Sequence, residues 1–317
     1  GEAVGNGLGV TVDDFDADGL TDIYVANDQS PNHFWLADGE GGFRDTGAMS
    51  GSAYNAEGKV EASMGVSAGD FDGDGDPDLF MTHLVGETNT LYRNEGSGYF
   101  TVVTDMMALG SPSRPFTGFG TAWFDLENDG DLDLFVANGA VTLVRSQADE
   151  SPYPYAQANQ LFRNDGSGRF EDISRVSGTV FAVQEVSRGA AFGDLDEDGD
   201  QDIVVINNYG PARVLLNRIA DGTASITVTL SGVESPRDGA GARVGLELTD
   251  GSTTWRRCGT DGSYLSAGDP RILFGLERRA APTAIRVHWS SGRAERFYLP
   301  PGTKKVALRE GSGEAVR

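Results

Sequence analysis

The chain has 317 residues, including 44 Gly and 12 Pro, with 38% hydrophobic and 23% charged residues. That length allows one large domain or two ordinary ones, and so turn-rich a composition argues for mostly β structure rather than a helical bundle. Lys and Arg number 25 against 48 Asp and Glu, a formal net charge of −23, and so acidic a surface repels nucleic-acid backbones and anionic membrane surfaces.

From the N-terminus the chain opens at Gly1 with neither a methionine nor a signal-peptide pattern, which reads as a processed or truncated product. One unit then recurs four times. Each copy begins with a Gly-bearing apolar stretch: Gly7-Leu-Gly-Val-Thr-Val, Ser63-Met-Gly-Val-Ser-Ala, Gly118-Phe-Gly-Thr-Ala-Trp and Ser187-Arg-Gly-Ala-Ala-Phe. Acidic loops follow at Asp14, Asp70, Asp125 and Asp194, spaced by 56, 55 and 69 residues, so the third unit carries an insertion, placed at residues 146–158. After each loop comes a short apolar run: Ile23-Tyr-Val-Ala, Leu79-Phe-Met, Leu134-Phe-Val-Ala or Ile203-Val-Val-Ile. Their length and β-branched or aromatic content predict strands buried on both faces. A third strand starts near Asn32, Asn89 and Asn159, with a degenerate copy at Arg213, and Gly turns lead to a fourth at Phe43, Phe100 or Phe170. Each full unit is thus about four strands, one propeller blade, at roughly residues 1–54, 55–108, 109–178 and 179–222.

From residue 223 the acidic loops stop. Alternating stretches such as Ile226-Thr-Val-Thr-Leu, Val244-Gly-Leu-Glu-Leu and Ile285-Arg-Val-His-Trp predict strands with one wet face, hence a small antiparallel sandwich or barrel over residues 223–310. The joint at residues 217–223 is too short for free swinging, so this domain is expected to dock on the blades. Residues 311–317 read as a polar, frayed tail. The lone cysteine, Cys258, reads as a half-buried thiol, and no apolar run reaches the roughly 20 residues of a membrane span.

The four loops carry the chemistry. Their acids fall at positions 1, 3, 5 and 9: Asp14, Asp16, Asp18 and Asp22; Asp70, Asp72, Asp74 and Asp78; Asp125, Glu127, Asp129 and Asp133; Asp194, Asp196, Asp198 and Asp202. A Gly at position 6 turns each chain sharply, and position 7 (Leu20, Asp76, Asp131, Asp200) adds a backbone carbonyl. This all-oxygen shell suits Ca2+ better than the more strictly octahedral Mg2+. Four ions, one per loop, would move the formal charge from −23 to −15. An EF-hand needs Glu at position 12, where this chain has Val25, Met81, Val136 and Val205, so a strand replaces the exiting helix.

With these residues in view, the chain resembles a known family. The acidic loop, apolar strand and Asn-x-Leu-(Phe/Tyr)-Arg-Asn-(Asp/Glu)-Gly-Ser-Gly-x-Phe segment, over residues 1–217, resemble the FG-GAP or VCBS repeats of integrin-type β-propellers. Arg237-Asp-Gly-Ala-Gly-Ala-Arg-Val, Gly262-Ser-Tyr-Leu-Ser-Ala-Gly-Asp-Pro and Val287-His-Trp-Ser-Ser-Gly-Arg resemble the ASPIC/UnbV domain that follows such propellers in cartilage acidic protein-like proteins. The resemblance implies an all-β, calcium-binding, secreted or cell-surface protein for adhesion, matrix or recognition roles, with a protein or glycan ligand. A calcium-stabilised enzyme of a natural-product pathway is the alternative. Glu127 departs from the family's usual Asp, and four repeats stand where about seven blades are expected. The four are expected either to close into a ring or to be completed by an absent N-terminal segment or a neighbouring subunit, and a homo-oligomer or filament follows if that subunit is another copy.

Other motifs read as structural. Gly65-Val-Ser67-Ala-Gly69 matches a nucleophile elbow but runs into a loop and a strand instead of a helix. His33, His83 and His288 lack zinc spacing, and Arg93 and Arg163 are expected to brace neighbouring blades. No catalytic residue is assigned, and the reading favours a non-enzymatic role.

Overall fold

The computed structural model describes residues 4–148 and 154–316; Gly1 and the centre of the predicted insertion lie outside the described residues. Each repeat folds as an antiparallel meander. The first comprises β1 (Gly7–Asp13), β2 (Asp22–Asn27), β3 (His33–Ala37) and β4 (Phe43–Asp45). The second comprises β5 (Val66–Gly69), β6 (Asp78–Met81), β7 (Thr90–Asn94) and β8 (Phe100–Val102). In the third, β9 (Gly118–Phe124) and β10 (Asp133–Asn138) precede a short strand β11 (Gln157–Ala158), then β12 (Gln160–Asn164) and β13 (Phe170–Asp172) complete the blade. A short β14 (Gln184–Glu185) pairs with β11, and the fourth blade has three strands: β15 (Ser187–Gly193), β16 (Asp202–Asn207) and β17 (Arg213–Leu215). Register is identical in all four, as shown by the pairs Ile23 with Trp35, Leu79 with Tyr92, Leu134 with Phe162 and Ile203 with Leu215.

The glycine repeated in each first strand explains how the blades stack. A Cβ at Gly9, Gly65 or Gly120 would collide with Met64 O, Phe119 O or Ala190 N, backbone atoms of the next blade. Between blades lie apolar cores in which the fourth-strand phenylalanine of one blade meets the loop residue of its predecessor, as Phe100 meets Phe15 and Phe170 meets Phe71. The bracing residues are asparagines. Nδ2 of Asn94, Asn164 and Asn217 donates to Phe15 O, Phe71 O and Leu126 O at 2.9, 3.0 and 2.9 Å, each in the preceding blade. Arg93 and Arg163 instead pair within their own blades, with Glu95 and Glu171, because their side chains point along the strand surface toward acids on the same sheet.

Burial on both faces holds for β6 and β10 but not at the ends of the array. Val10 is 48% and Ile206 52% exposed, since among the described residues no further blade covers the outward faces of the first and fourth. The four blades therefore form an open arc, not a closed ring.

The C-terminal domain contains β18 (Ser225–Ser231), β19 (Arg243–Leu248), β20 (Thr253–Arg257), β21 (Ile272–Gly275), β22 (Pro282–His288), β23 (Ala294–Tyr298), β24 (Lys305–Arg309) and β25 (Glu314–Ala315). Sheets β21-β18-β24 and β20-β19-β22-β23-β25 enclose a core that includes Val228, Leu246, Phe274, Ile285 and Trp289. Three expectations need correction. The β18–β24 pair is parallel, so the domain is mixed. Residues 311–316 are not frayed, because β25 pairs with β23 and the buried Glu310 accepts the N–H groups of Val233, Glu234 and Ser235. Cys258 is fully buried, its thiol lying against Asp238 O and Pro270 O.

The domain docks through residues 259–269, which cross the first strands of all four blades. Gly262 N donates to Val10 O (3.1 Å), and Ser263 exchanges backbone hydrogen bonds with Val66. Ser263 Oγ accepts from Thr121 N (3.2 Å) and donates to Ala190 O (2.8 Å). Gly189, the fourth of the repeated glycines, faces Ser266 where its counterparts face another blade.

Candidate metal centres

Each acidic loop is a tight turn held by its own side chains. The position-6 glycines Gly19, Gly75, Gly130 and Gly199 have φ between +87° and +98°, a region that a β-carbon disfavours. Position 4 is also left-handed, at Ala17, Gly73, Asn128 and Glu197; the sequence reading missed this, although Gly73 and Asn128 are residue types that favour it. The position-1 carboxylate accepts the glycine N–H in three loops, Asp14 at 3.1 Å, Asp70 at 3.1 Å and Asp125 at 2.8 Å. Asp18, Asp74, Asp129 and Asp198 at position 5 accept the N–H of Leu20, Asp76, Asp131 and Asp200.

Position 9 ties the loop to the blade. Asp22 accepts N–H groups from Phe15 (3.0 Å) and Ala37 (2.9 Å), Asp78 from Phe71 (3.1 Å) and Asn94 (2.8 Å), Asp133 from Leu126 and Asn164 (both 2.8 Å), and Asp202 from Leu195 and Asn217 (both 2.8 Å). One oxygen holds the loop entrance and the other the end of the third strand.

Carboxylate oxygens converge in three loops. Asp14, Asp16 and Asp18 form one group, Asp70, Asp72 and Asp78 a second, and Asp194, Asp196 and Asp202 a third, the ligand atoms of each lying within 4.8 Å of one another. Asp198 and Asp200 form a further group with Asp221, which the sequence reading did not single out. Among the described residues, the acids of the third loop do not converge in this way. There Arg163 approaches Glu127 (3.7 Å), Arg278 meets Asp129 (2.8 Å) and Arg279 meets Asp131 (2.6 Å). Asp22, Asp74, Asp76 and Asp133 lie in the loops but outside these groups.

Burial dominates the electrostatics. It pushes Asp22 up to about 7 and Asp78 to about 9 despite their N–H donors. Burial also raises Asp70 and Asp125, to about 6, with the charge of the half-buried Arg256 opposing the rise at both. Several oxygens are buried without a hydrogen-bond partner: Asp14 Oδ1, Glu127 Oε2, Asp194 Oδ1 and Asp200 Oδ1. Crowded, desolvated carboxylates with orphaned oxygens fit a hard divalent cation. In loops one, two and four the donors fit such an ion; in loop three arginines already neutralise part of the charge.

The C-terminal domain sits on the face that carries the loops. Arg243 donates to Gly75 O (2.6 Å), Arg256 to Gly130 O (2.8 Å), Arg271 to Asp194 O (2.7 Å) and Lys305 to Glu197 O (3.3 Å). A cavity of about 190 Å³ at this junction is lined by charged residues including Asp13, Asp70, Asp125, Arg256, Arg257 and Asp269. Ser67 lies in β5 with its Oγ accepting from Trp123 N, His33 pairs with Asp45, His83 is buried beside Glu61, and His288 lies against the Trp255 ring.

The description of FG-GAP-like repeats matches residues 14–81, 70–136 and 144–205, together more than half of the chain. The chain belongs to the FG-GAP-like repeat family. Beyond its FG-GAP-like blades, residues 232–315 match the ASPIC and UnbV domain. Cartilage acidic protein 1 of Xenopus tropicalis is 24% identical over 273 residues, 68% of this chain and 42% of the relative; the Homo sapiens protein is 25% identical over 68% and 41%. The chain thus spans about two fifths of the length of these relatives. Among solved structures, an Agrocybe aegerita lectin that recognises non-reducing terminal N-acetylglucosamine has a TM-score of 0.33 at 13% identity, covering 86% of each chain. The V. cholerae biofilm matrix protein Bap1 has 0.32 at 12%, covering 92% of this chain and 48% of its own. Likeness at that level carries no argument about ligands. In all four FG-GAP-like loops position 12 lies in a strand, β2, β6, β10 or β16, as the exclusion of an EF-hand requires.

Proposed function

We propose that this chain is a calcium-stapled recognition or adhesion module of an extracellular protein, secreted or displayed at a cell surface. The observation that carries the reading is the convergence of carboxylate oxygens in loops one, two and four, with Asp14 Oδ1 and both Asp194 carboxylate oxygens buried and without partners. Asp14, Asp16 and Asp18, Asp70, Asp72 and Asp78, and Asp194, Asp196 and Asp202 would hold the ions, with Asp22, Asp74, Asp198 and the position-7 carbonyls as further donors. Calcium supplies the positive charge that lets these carboxylates ionise together and ties each loop to its blade. Millimolar external calcium fills sites of this kind, whereas submicromolar cytosolic calcium leaves weak ones empty. Relatives named for cartilage and for acidity support the extracellular setting. A protein or glycan is the class of partner, and the open arc leaves room for homo-oligomers.

Calorimetric titration of chelator-treated protein tests the reading. Saturable binding of about three to four Ca2+ per chain, tighter than Mg2+, is expected. Absence of saturation at millimolar Ca2+ would overturn it.

A further inference from the structure

Position 7 of an acidic loop offers a loop ion only its backbone carbonyl, so the side chain there is free for other contacts. In loop three that side chain, Asp131, meets Arg279 (2.6 Å), and in loop two Asp76 is half-buried. Loop four is different. Asp200 is 2% exposed, its Oδ1 has no hydrogen-bond partner, and among the described residues it forms no ion pair. What faces it is two more carboxylates: oxygens of Asp198, Asp200 and Asp221 lie within 4.8 Å of one another.

Asp221 lies outside the nine positions of the loop and arrives from the joint to the C-terminal domain. After β17, Asn217 N donates to Asp202 (2.8 Å), and Thr223 N and Oγ1 donate to Ala220 O (2.9 and 2.6 Å), which closes a tight turn. Ser225 Oγ donates to Gly199 O (2.6 Å), and Asn128 Nδ2 bridges Gly199 O and Thr223 Oγ1 (3.1 and 3.0 Å). The turn is thereby held beside loop four. In the second and third blades the turn after the third strand sets a glycine beside the position-7 acid, since a Cβ on Gly96 or Gly166 would lie 3.5 Å from Asp76 Oδ2 or 2.9 Å from Asp131 Oδ2. In the fourth blade the chain sets Asp221 there instead.

The protein's own cations leave most of this charge unmet. Arg218 approaches Asp196, Asp198 and Asp221 at 3.6, 3.7 and 3.4 Å, but its side chain is 58% exposed and its single charge faces these three acids with Asp200 behind them. Burying a carboxylate among like charges without a paired cation is costly, and a hard divalent ion with oxygen ligands removes that cost. We propose that Asp198, Asp200 and Asp221 form a second calcium site beside loop four, one that locks the joint between the blades and the C-terminal domain. It rests on the calcium reading of loop four only through Asp198, which the two ions share. Asp200 gives its carboxylate to this ion and its backbone carbonyl to the loop ion. Asp198 and Asp221 are exposed, so the ion enters from solvent without unfolding the joint.

Calorimetric titration of the chelator-treated whole chain with Ca2+ tests the site by comparing the native protein with Asp221→Asn. Because Asp221 belongs to no acidic loop, its replacement should remove one ion per chain and leave the loop ions bound. Asp200→Asn, which keeps the position-7 carbonyl, should do the same and serves if the first variant misfolds. Calcium should also slow amide exchange at residues 218–223 at least about tenfold more in the native chain than in either variant. Equal stoichiometry in native and variant chains that do bind Ca2+ would overturn the proposal and assign the cluster to Arg218 and a shared proton. A native chain that binds no Ca2+ would overturn the calcium reading of the loops as well, so the two failures are told apart.

Discussion

Loops one and three share the same spacing and turn but meet the cost of buried negative charge by different means. In loop one, Asp14, Asp16 and Asp18 converge and Asp14 Oδ1 is buried without a partner. In loop three, Arg163, Arg278 and Arg279 each approach an acid, and Arg256 lies close to Asp125. Two of those cations, Arg278 and Arg279, follow β21 in the C-terminal domain, about 150 residues away in sequence. A repeat's motif thus specifies a shape, while the surface packed on it sets how much counter-charge the protein itself supplies.

The largest expected effect comes from removing metal altogether. Excess EGTA should lower the melting temperature markedly, since an ion at a hundred times its dissociation constant adds about 2.7 kcal/mol per independent site. An unchanged melting curve would remove the distinction between the loops by removing calcium from both. Next, Asp16→Ala should eliminate one ion from the calorimetric stoichiometry and about that same 2.7 kcal/mol of calcium-dependent stability. Glu127→Ala should change both far less; equal losses would show that loop three depends on calcium as loop one does.

Glu310 offers a third means of neutralising a buried carboxylate, using neutral donors only. Burial acts to raise its pKa, but hydrogen bonds from Ser291 and the N–H groups of Ser235, Val233 and Glu234 outweigh it and hold the group at about 2. A depressed pKa stabilises the fold above the ordinary value of 4.5 and ceases to do so as pH falls toward 2. Glu310→Gln should therefore cost about 1–3 kcal/mol at pH 7 and flatten the acid limb of the stability curve, in calcium or in EGTA. The smallest effect is expected from Arg278→Ala, whose partly exposed side chain limits its contribution to below about 1 kcal/mol. Its informative readout is calcium affinity, which should rise at loop three.

Much of the blade was legible because its constraints are local. A glycine where strands approach, an aspartate every second residue before a turn and a short apolar run each carry their reason within a few positions. The partners that distinguish the loops were not legible, since Arg256, Arg278 and Arg279 reach them only through docking of the second domain. Arg93 and Arg163 misled because recurrence shows that a residue serves the repeat, not which neighbour it touches. The adjacent Asn94 and Asn164 recur equally and do cross between blades. The tail was misread because the polarity of Glu310 and Glu314 resembles disorder until their donors and pairing strand are in place.

Arrays of repeats ordinarily come apart piecemeal, because each unit touches only its neighbours and the terminal ones fray first. Residues 259–269 change that arithmetic by touching Val10, Val66, Thr121 and Ala190, one residue from each unit. A single strap thus holds all four units at once, so losing one unit strains the others through it. The expected behaviour is a concerted, all-or-none melt in a molecule whose linear construction would otherwise let it unzip.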